Sequence, residues 1–554
     1  MNISAAARIS HSLGRWLPVA LFVAAVATFI LVFRTYLTSD WVPLADSASN
    51  DMLVLDAKRF ALLHGNYSRV GFYHPGPHLL YLMAAGEFLF RDLLGIAKAR
   101  EAAQSLAVLC LSIVILQIVE RVYRDLAGDV LISLCATAAT ALSVVLMVPE
   151  AFTSMWVPYT YLTAGLLFFT GAAALIAGRF KWLWVFVLGA AMLVSGHASF
   201  LGLVPIMSFV LLGAVATLQP QTRSLSGIRT LAAQNRGSVI ASGIILAIIA
   251  LPIALYVVLH FPGEFGKYLE FSGRQPRKGW IAVAYVLFPY WKFAGVAAIA
   301  FLASFLMTPV DAPSKKRRSA IAAAGLAIFL AGTGAVIFYI QKGIDFIAPE
   351  NLYLVWWYQA VPATCVGLAI VYVGTAATRR LPFVATLVVM IGAVLWFTRW
   401  PTPSGNDRAN VDKTLALLQQ KTRASGRPVR IALDLKPSMF VDVWARAIAL
   451  IAEQERRGMR IACIEEYNWQ LSYHERNRCP AANPKEMQIR YVASYDDLTP
   501  IGGRRVAWFI GLQLYEFSPA EWPRDRMAGP WVGLSEDSAN AAGVGKTEPA
   551  KAVR

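Results

Sequence analysis

KKRRSAIAAAGLAIFLAGTGAVIFYI, residues 315–340, decides what kind of protein this is. Four consecutive cations are followed by an uncharged apolar run from Ile321 to Ile340, long enough at about 1.5 Å per residue to cross a bilayer. Because cytoplasmic loops are enriched in Lys and Arg, the tetrad Lys315-Lys316-Arg317-Arg318 marks the inner end of that span. Working outward, the same alternation recurs along the chain. Ala102 to Val119 runs inward to Arg121 and Arg124, Leu131 to Val148 runs outward, and Thr160 to Ala177 returns to Arg179 and Lys181. A short span, Leu183 to Val194, reaches a break at Ser195-Gly196-His197, and Leu201 to Thr217 returns to Arg223, Arg229 and Arg236. Val239 to Leu259 leads to an outer segment, 261–290, and Trp291 to Met307 comes back to the tetrad. Beyond Ile340 and a short outer loop, 342–352, Tyr353 to Thr375 returns to Arg379-Arg380 and Phe383 to Phe397 leads out.

The bulk properties agree. Of 554 residues, 57% are hydrophobic and mean hydropathy is +0.52, so most of the chain is solvated by lipid. A net charge of +17 raises nucleic acid as a partner, but the cations fall in short clusters between apolar runs, which makes them a topology signal. The first apolar run, Trp16 to Phe33, follows Arg8 and Arg15 and is read as a retained anchor with a cytoplasmic N-terminus. Residues 34–101 then lie outside. Within them His78 to Phe90 is helix-like but carries Glu87, with Arg91 and Asp92 following, so it reads as a helix lying in the interface.

From Pro401 the sequence turns polar. Val429 to Leu433 reads as a strand, Val441 to Arg457 as an amphipathic helix ended by Gly458, and Met459 to Ile464 as a second strand. Further strands are expected near Ile489 to Val492 and Arg505 to Phe509. The expected fold is an all-α polytopic membrane domain of about eleven transmembrane helices over residues 1–400, then a small extracytoplasmic α/β domain, 401–534, and a disordered tail, 535–554. Of the five cysteines, Cys110, Cys135 and Cys365 sit in apolar spans as small hydrophobes. Cys463 and Cys479, in an oxidising compartment, are the expected disulfide, closing a loop of about 15 residues.

The first outer segment concentrates polar groups: Asp46, Asn50-Asp51, Asp56, Ala57-Lys58-Arg59, Gly65 and His74-Pro75-Gly76-Pro77-His78. An acid soon after the first span, a His-Pro motif with a second proline, an interfacial helix and a second span led by Arg100 resemble the GT-C superfamily of polyprenyl-phosphate-dependent glycosyltransferases, of mannosyl- and arabinosyltransferase kind. The likeness runs from Asp46 to Trp156 and takes in Arg121, Asp125, Pro149 and Pro158. It departs from the family pattern at Gly76, between the prolines, and at Met52, where an acid often follows the key Asp.

The resemblance implies an inverting transferase of the bacterial inner membrane that moves a sugar from a polyprenyl-phosphate donor to an extracytoplasmic glycan or lipid acceptor. Such chemistry needs a base for the attacking hydroxyl and cations for the departing phosphate, which leaves without a proton. By analogy with the family, the base is Asp51, with Asp46 assisting or holding a divalent ion (Mg or Mn) and Asp56 the third candidate. The candidate substrate contacts are His74, His78, His197 and Arg100, and the outer-loop cations Lys267, Arg274, Arg277 and Lys278, which an extracytoplasmic loop has no topological reason to carry. Two histidines four apart can in principle bind a metal, but the two prolines favour an extended entry to the interfacial helix. Tyr353, Trp356, Trp357 and Tyr358 offer aromatic faces on which a sugar ring could stack, but at the outer surface they read first as an interfacial aromatic belt. A flippase for lipid-linked saccharides is the rival, and it predicts repeats or mid-membrane carboxylates that the sequence lacks.

Overall fold

The computed structural model describes residues 23–24, 26–31, 33–69, 71–274, 279–281, 283–290, 312–341, 349–375, 381–399, 407–434, 440–465, 470–480, 490–518 and 521. Among them, six helices are long and apolar enough to cross a membrane and three shorter apolar helices accompany them. Nine of the expected spans thus correspond to helices. The run 291–307 lies outside the described residues, as do half of the first span and the tail 535–554.

The helices used below are α1 (Ala45–Lys58), α2 (His78–Gly86), α3 (Arg100–Ala127), α4 (Val130–Val145), α5 (Val157–Ile176), α6 (Leu183–Gly196), α7 (Phe200–Leu218), α8 (Leu225–Gln234), α9 (Arg236–Leu259), α10 (Gly263–Arg274), α11 (Ala312–Gln341), α12 (Ala360–Gly374) and α13 (Leu381–Phe397). In α5 every residue is buried, whereas α9 buries only Ser238 and Ser242 and turns its aliphatic side chains outward. α5 is therefore the centre of the bundle and α9 its lipid-facing edge. Helices α5 and α6 touch backbone to backbone: a Cβ on Gly189 would stand 2.3 Å from the Phe168 nitrogen, and one on Gly171 2.5 Å from that of Phe186. Small residues at these crossings let van der Waals packing replace the hydrophobic drive that lipid removes.

The loops sort into two ends. At one, Asp125 accepts from Lys181 Nζ at 2.8 Å and Trp182 Nε1 at 3.0 Å, Gln219 donates to the Ile176 carbonyl at 2.8 Å, and Arg317 donates to the Leu126 carbonyl. At the other, the Gly76 amide donates to the Ser195 carbonyl at 2.8 Å, the Arg399 amide to Pro149 at 2.9 Å, and the Tyr73 amide to Glu264 at 2.9 Å. Loops read as inside meet at the first end and loops read as outside meet at the second.

The interfacial segment is α2 continued by a π-helical turn, Glu87–Leu93. At the C-terminus, α14 (Arg408–Ser425), β1 (Val429–Leu433), α15 (Phe440–Arg456), β2 (Ala462–Glu465), β3 (Arg490–Ser494), β4 (Arg504–Phe509) and β5 (Leu512–Phe517) build a sheet of order β2-β1-β3-β5-β4. β1 is parallel to β2 and β3, while β5 is antiparallel to β3 and β4. The β1–α15–β2 unit has the expected βαβ connection, and Gly458 is left-handed at φ 66° just past the helix. Helix α14 and strand β5 add to the elements expected from the sequence. β5 follows β4 through Ile510-Gly511, both at positive φ, as a two-residue hairpin requires.

The C-terminal sheet does not stand alone. Val42, Ala48, Met52 and Tyr67 from the first outer segment share one apolar cluster with Leu415, Ile431, Trp444, Ile448 and Leu514. Residues 34–101 and the C-terminal domain are thus one cap over the outer end of the bundle. Cys463 and Cys479 are bonded within it, 16 residues apart. A closed loop of that length stabilises by about 3 kcal/mol, so the Cys463→Ser, Cys479→Ser variant is expected to lose about that much of the cap's unfolding free energy. Thermal scans of both proteins, with and without reductant, check this: reductant should lower the wild-type midpoint and leave the variant's unchanged.

Candidate active site

Two carboxylates sit on α1 one and a half turns apart and meet opposite environments. Asp51 is 1% exposed. Its Oδ2 accepts from Arg100 Nε at 2.9 Å and Arg456 Nε at 3.0 Å, and its Oδ1 from Arg456 Nη2 at 2.6 Å and Gln104 Nε2 at 3.2 Å. Arg456 also makes two 3.0 Å contacts with the buried Glu87, which takes Lys58 Nζ at 2.9 Å. Arg100 continues to Glu453, whose other oxygen takes Arg408 Nη1 at 2.6 Å. Burial alone pushes the Asp51 carboxyl up, but the Arg100 and Arg456 guanidiniums outweigh it and hold it below the ordinary carboxylate range.

Asp51 and Arg100 are engaged with partners that the sequence does not reveal. With both oxygens saturated by guanidinium and amide donors, Asp51 offers no lone pair to an incoming hydroxyl, and its depressed pKa makes it a poor base. Arg100, read from the sequence as a phosphate contact, spends its fork on Asp51 and Glu453. Both residues belong to a buried ion network that fastens α15 of the cap to α1 and α3. Glu87 belongs to the same network, so the interfacial helix keeps its charge in protein contact.

Asp46 stands at the start of α1, directly after Ala45, whose φ of 50° is a strained value for a residue with a Cβ. Its side chain is 22% exposed. Tyr67 donates its hydroxyl to Oδ1, and Oδ2 accepts from Trp156 Nε1 at 3.0 Å and faces Arg69 Nη2 at 3.5 Å. Burial and the neighbouring Asp46 charge raise the Tyr67 hydroxyl far above its usual value, so it stays a donor. The carboxylate is oriented by donors on one side and open on the other. Those donors do not fit the divalent ion that the family resemblance allows. A hard cation needs oxygen ligands in numbers, and N–H groups and a guanidinium occupy the positions they would take. Among the described residues no three His, Cys, Asp or Glu side chains converge to hold a metal. Asp56 is held by Arg476 at 2.9 Å on the cap side.

Trp156 leads from Asp46 to an apolar groove. Its ring meets Trp356 edge-on at 5.7 Å and 82°, and Trp356 stacks on Tyr159 at 4.9 Å and 11°. Trp356 is a wall of a cavity of about 550 Å³ formed with Met147, Ala284, Phe288, Pro289 and Tyr290, a size within the range of small-molecule sites. Of the aromatic run, Trp357 and Tyr358 are each 1% exposed core residues, and Trp356 faces the groove.

The histidines are brought together but as neutral, buried groups. His74 lies against His197 with ring centroids 4.1 Å apart, its Nδ1 accepting from the Ala198 amide at 3.3 Å. His78 Nδ1 meets the Ser195 hydroxyl. Burial lowers His74 well below its ordinary value, with His197 adding to the effect, and lowers His78 and His197 to about 4. They brace the His-Pro segment on the Ser195–Ser199 turn and supply no positive charge to a phosphate. Lys267 is half exposed and paired with Glu264 at 3.0 Å; that carboxylate also takes the Tyr73 amide, and Tyr268 donates to the Tyr73 carbonyl. α10 is thereby clamped over residues 72–74. The side chain of Arg274, together with Arg277 and Lys278, lies outside the described residues. Arg69, Tyr67, Tyr159 and Glu150 are not distinguished by the sequence; Arg69, within the polar first outer segment, carries the one usable signal, a cation between two tyrosines.

No protein-family model matches the chain, and no curated protein does. Among solved structures, it is similar to ArnT from Cupriavidus metallidurans in the apo state, at 14% identity over 94% of this chain and 100% of that one, with a TM-score of 0.44. The structure of ArnT from the same organism bound to undecaprenyl phosphate gives 13% identity, 92% and 99% coverage and a TM-score of 0.41.

Proposed function

We propose that this chain is an integral-membrane glycosyltransferase that takes a sugar from a polyprenyl-phosphate carrier and gives it, with inversion, to a hydroxyl of an extracytoplasmic glycan or lipid acceptor. One observation carries the reading. A partly open carboxylate, Asp46, is joined through the indole of Trp156 to an apolar groove at the end of the bundle where the outer loops meet. An isoprenoid chain needs an apolar channel open to lipid, and Ile281 and Phe288 beside the groove are largely exposed. A hydroxyl acceptor needs a base at the water side of that channel.

In this mechanism Asp46 accepts the proton of the acceptor hydroxyl while that hydroxyl's oxygen bonds to the anomeric carbon. The bond from that carbon to the phosphate oxygen breaks on the opposite face, which inverts the centre. The electron pair leaves with the polyprenyl phosphate, which carries it without protonation. Arg69, beside Asp46, and Lys267, on the outer loop, are the described cations suited to the phosphate charge. Trp156 and Tyr67 hold the base aimed by their hydrogen bonds.

The test is direct. The purified chain, reconstituted with undecaprenyl phosphate carrying glucose, mannose, galactose or arabinose and with an envelope glycan and lipid extract, is expected to release bare undecaprenyl phosphate and add the sugar's mass to an acceptor. Sugar-lipid that crosses the bilayer uncleaved would instead establish the flippase reading.

A further inference from the structure

Glu150, Tyr159 and Trp356 form a surface on the same rim that the mechanism above leaves without a role. Trp356 is followed by two fully buried aromatics yet turns its own ring to the groove, where Tyr159 backs it face to face and Trp156 supports it edge-on. The Tyr159 hydroxyl lies 3.5 Å from Glu150 Oε2. Two carboxylates thus flank one aromatic platform, Asp46 through Trp156 and Glu150 through Tyr159. Burial raises the Glu150 carboxyl above its ordinary value, as expected of an acid half withdrawn from water.

A sugar ring presents a face of C–H bonds to an electron-rich aromatic face, and its hydroxyls donate to carboxylate oxygens. In the donor, the ring is bonded between the lipid phosphate and the point where the acceptor arrives. With the prenyl chain in the groove and the acceptor at Asp46, the ring comes to lie over the platform between them. We infer that Trp356, backed by Tyr159, is the stacking face for the donor's sugar and that Glu150 accepts a hydrogen bond from one of its hydroxyls. This rests on the proposed donor class and adds the residues that discriminate among sugars.

The test compares binding to the full chain in nanodiscs of bare undecaprenyl phosphate and of the same lipid carrying glucose, mannose, galactose or arabinose. For the wild type, at least one sugar-bearing lipid is expected to bind about ten-fold more tightly than the bare carrier. Trp356→Ala should bring that ratio within about three-fold while shifting affinity for the bare carrier less than that, and Trp356→Phe should keep most of it. Glu150→Gln should reorder the preference among sugars without changing bare-carrier binding. The inference is overturned if the ratio survives both Trp356→Ala and Glu150→Gln, if Trp356→Ala weakens bare and sugar-bearing lipids alike, or if the wild type gains nothing from any sugar. A wild type that binds no carrier at all overturns the donor class itself, which is a separate outcome.

Discussion

Asp46→Asn is expected to lower the transfer rate by about 10²- to 10⁴-fold, or roughly 3–5 kcal/mol of barrier, with little change in thermal midpoint. The amide oxygen still accepts from Tyr67 or Trp156, and the side chain is 22% exposed, so the fold loses little. What disappears is the capacity to take a proton from the acceptor. Asp46→Glu, which keeps the base but displaces it, should fall between the two. Initial rates at saturating donor, paired with unfolding scans of the same preparations, separate these cases. A rate for Asp46→Asn within a few-fold of wild type would remove Asp46 from the chemistry.

Asp51→Asn should have the opposite profile. Removing one charge from the buried network leaves Arg100 and Arg456 facing each other with part of their compensation gone, a loss of about 3–5 kcal/mol in unfolding free energy. Transfer per folded molecule should stay near wild type. The pH dependence has a definite sign. Asp51 is held below its unfolded value by Arg100 and Arg456, so its contribution is fully present above the unfolded carboxylate pKa of about 4 and is lost as pH falls through the lower folded value. The gap in thermal midpoint between wild type and Asp51→Asn should be constant from neutral pH down to about 5 and close on further acidification. A gap that widens in acid would show that the carboxylate is not stabilised by these arginines.

The contrast between these aspartates marks where sequence reading succeeds and where it stops. Spans such as Ile321 to Ile340 are legible because the bilayer acts on composition and length, and both are properties of a contiguous run. The sidedness of the loops is legible for the same reason, and the Lys181–Asp125 and Trp156–Asp46 contacts fall at opposite ends as the basic clusters require. The environment of each aspartate is not a local property. Asp51 accepts from Arg456, 405 residues away, and Asp46 accepts from Trp156, 110 residues away. Nothing in Asn50-Asp51 or Ala45-Asp46 records those partners. The aromatic run at Trp356-Trp357-Tyr358 is ambiguous in the same way. Two of its members are core, and the third faces the groove because of side chains contributed by Met147 and by residues 284–290. Strand β5 is not legible because its hairpin turns on Ile510-Gly511, where a β-branched residue takes a positive φ that turn chemistry disfavours.

A map of the chain in nanodiscs with bound undecaprenyl phosphate asks most directly whether base and carrier share one rim. The isoprenoid is predicted to occupy the groove against Met147 and Phe288, with its phosphate at the groove mouth on the rim that carries Trp356, Trp156 and Asp46. Density for the chain at another lateral opening, or a phosphate lodged beside Asp51, would contradict it.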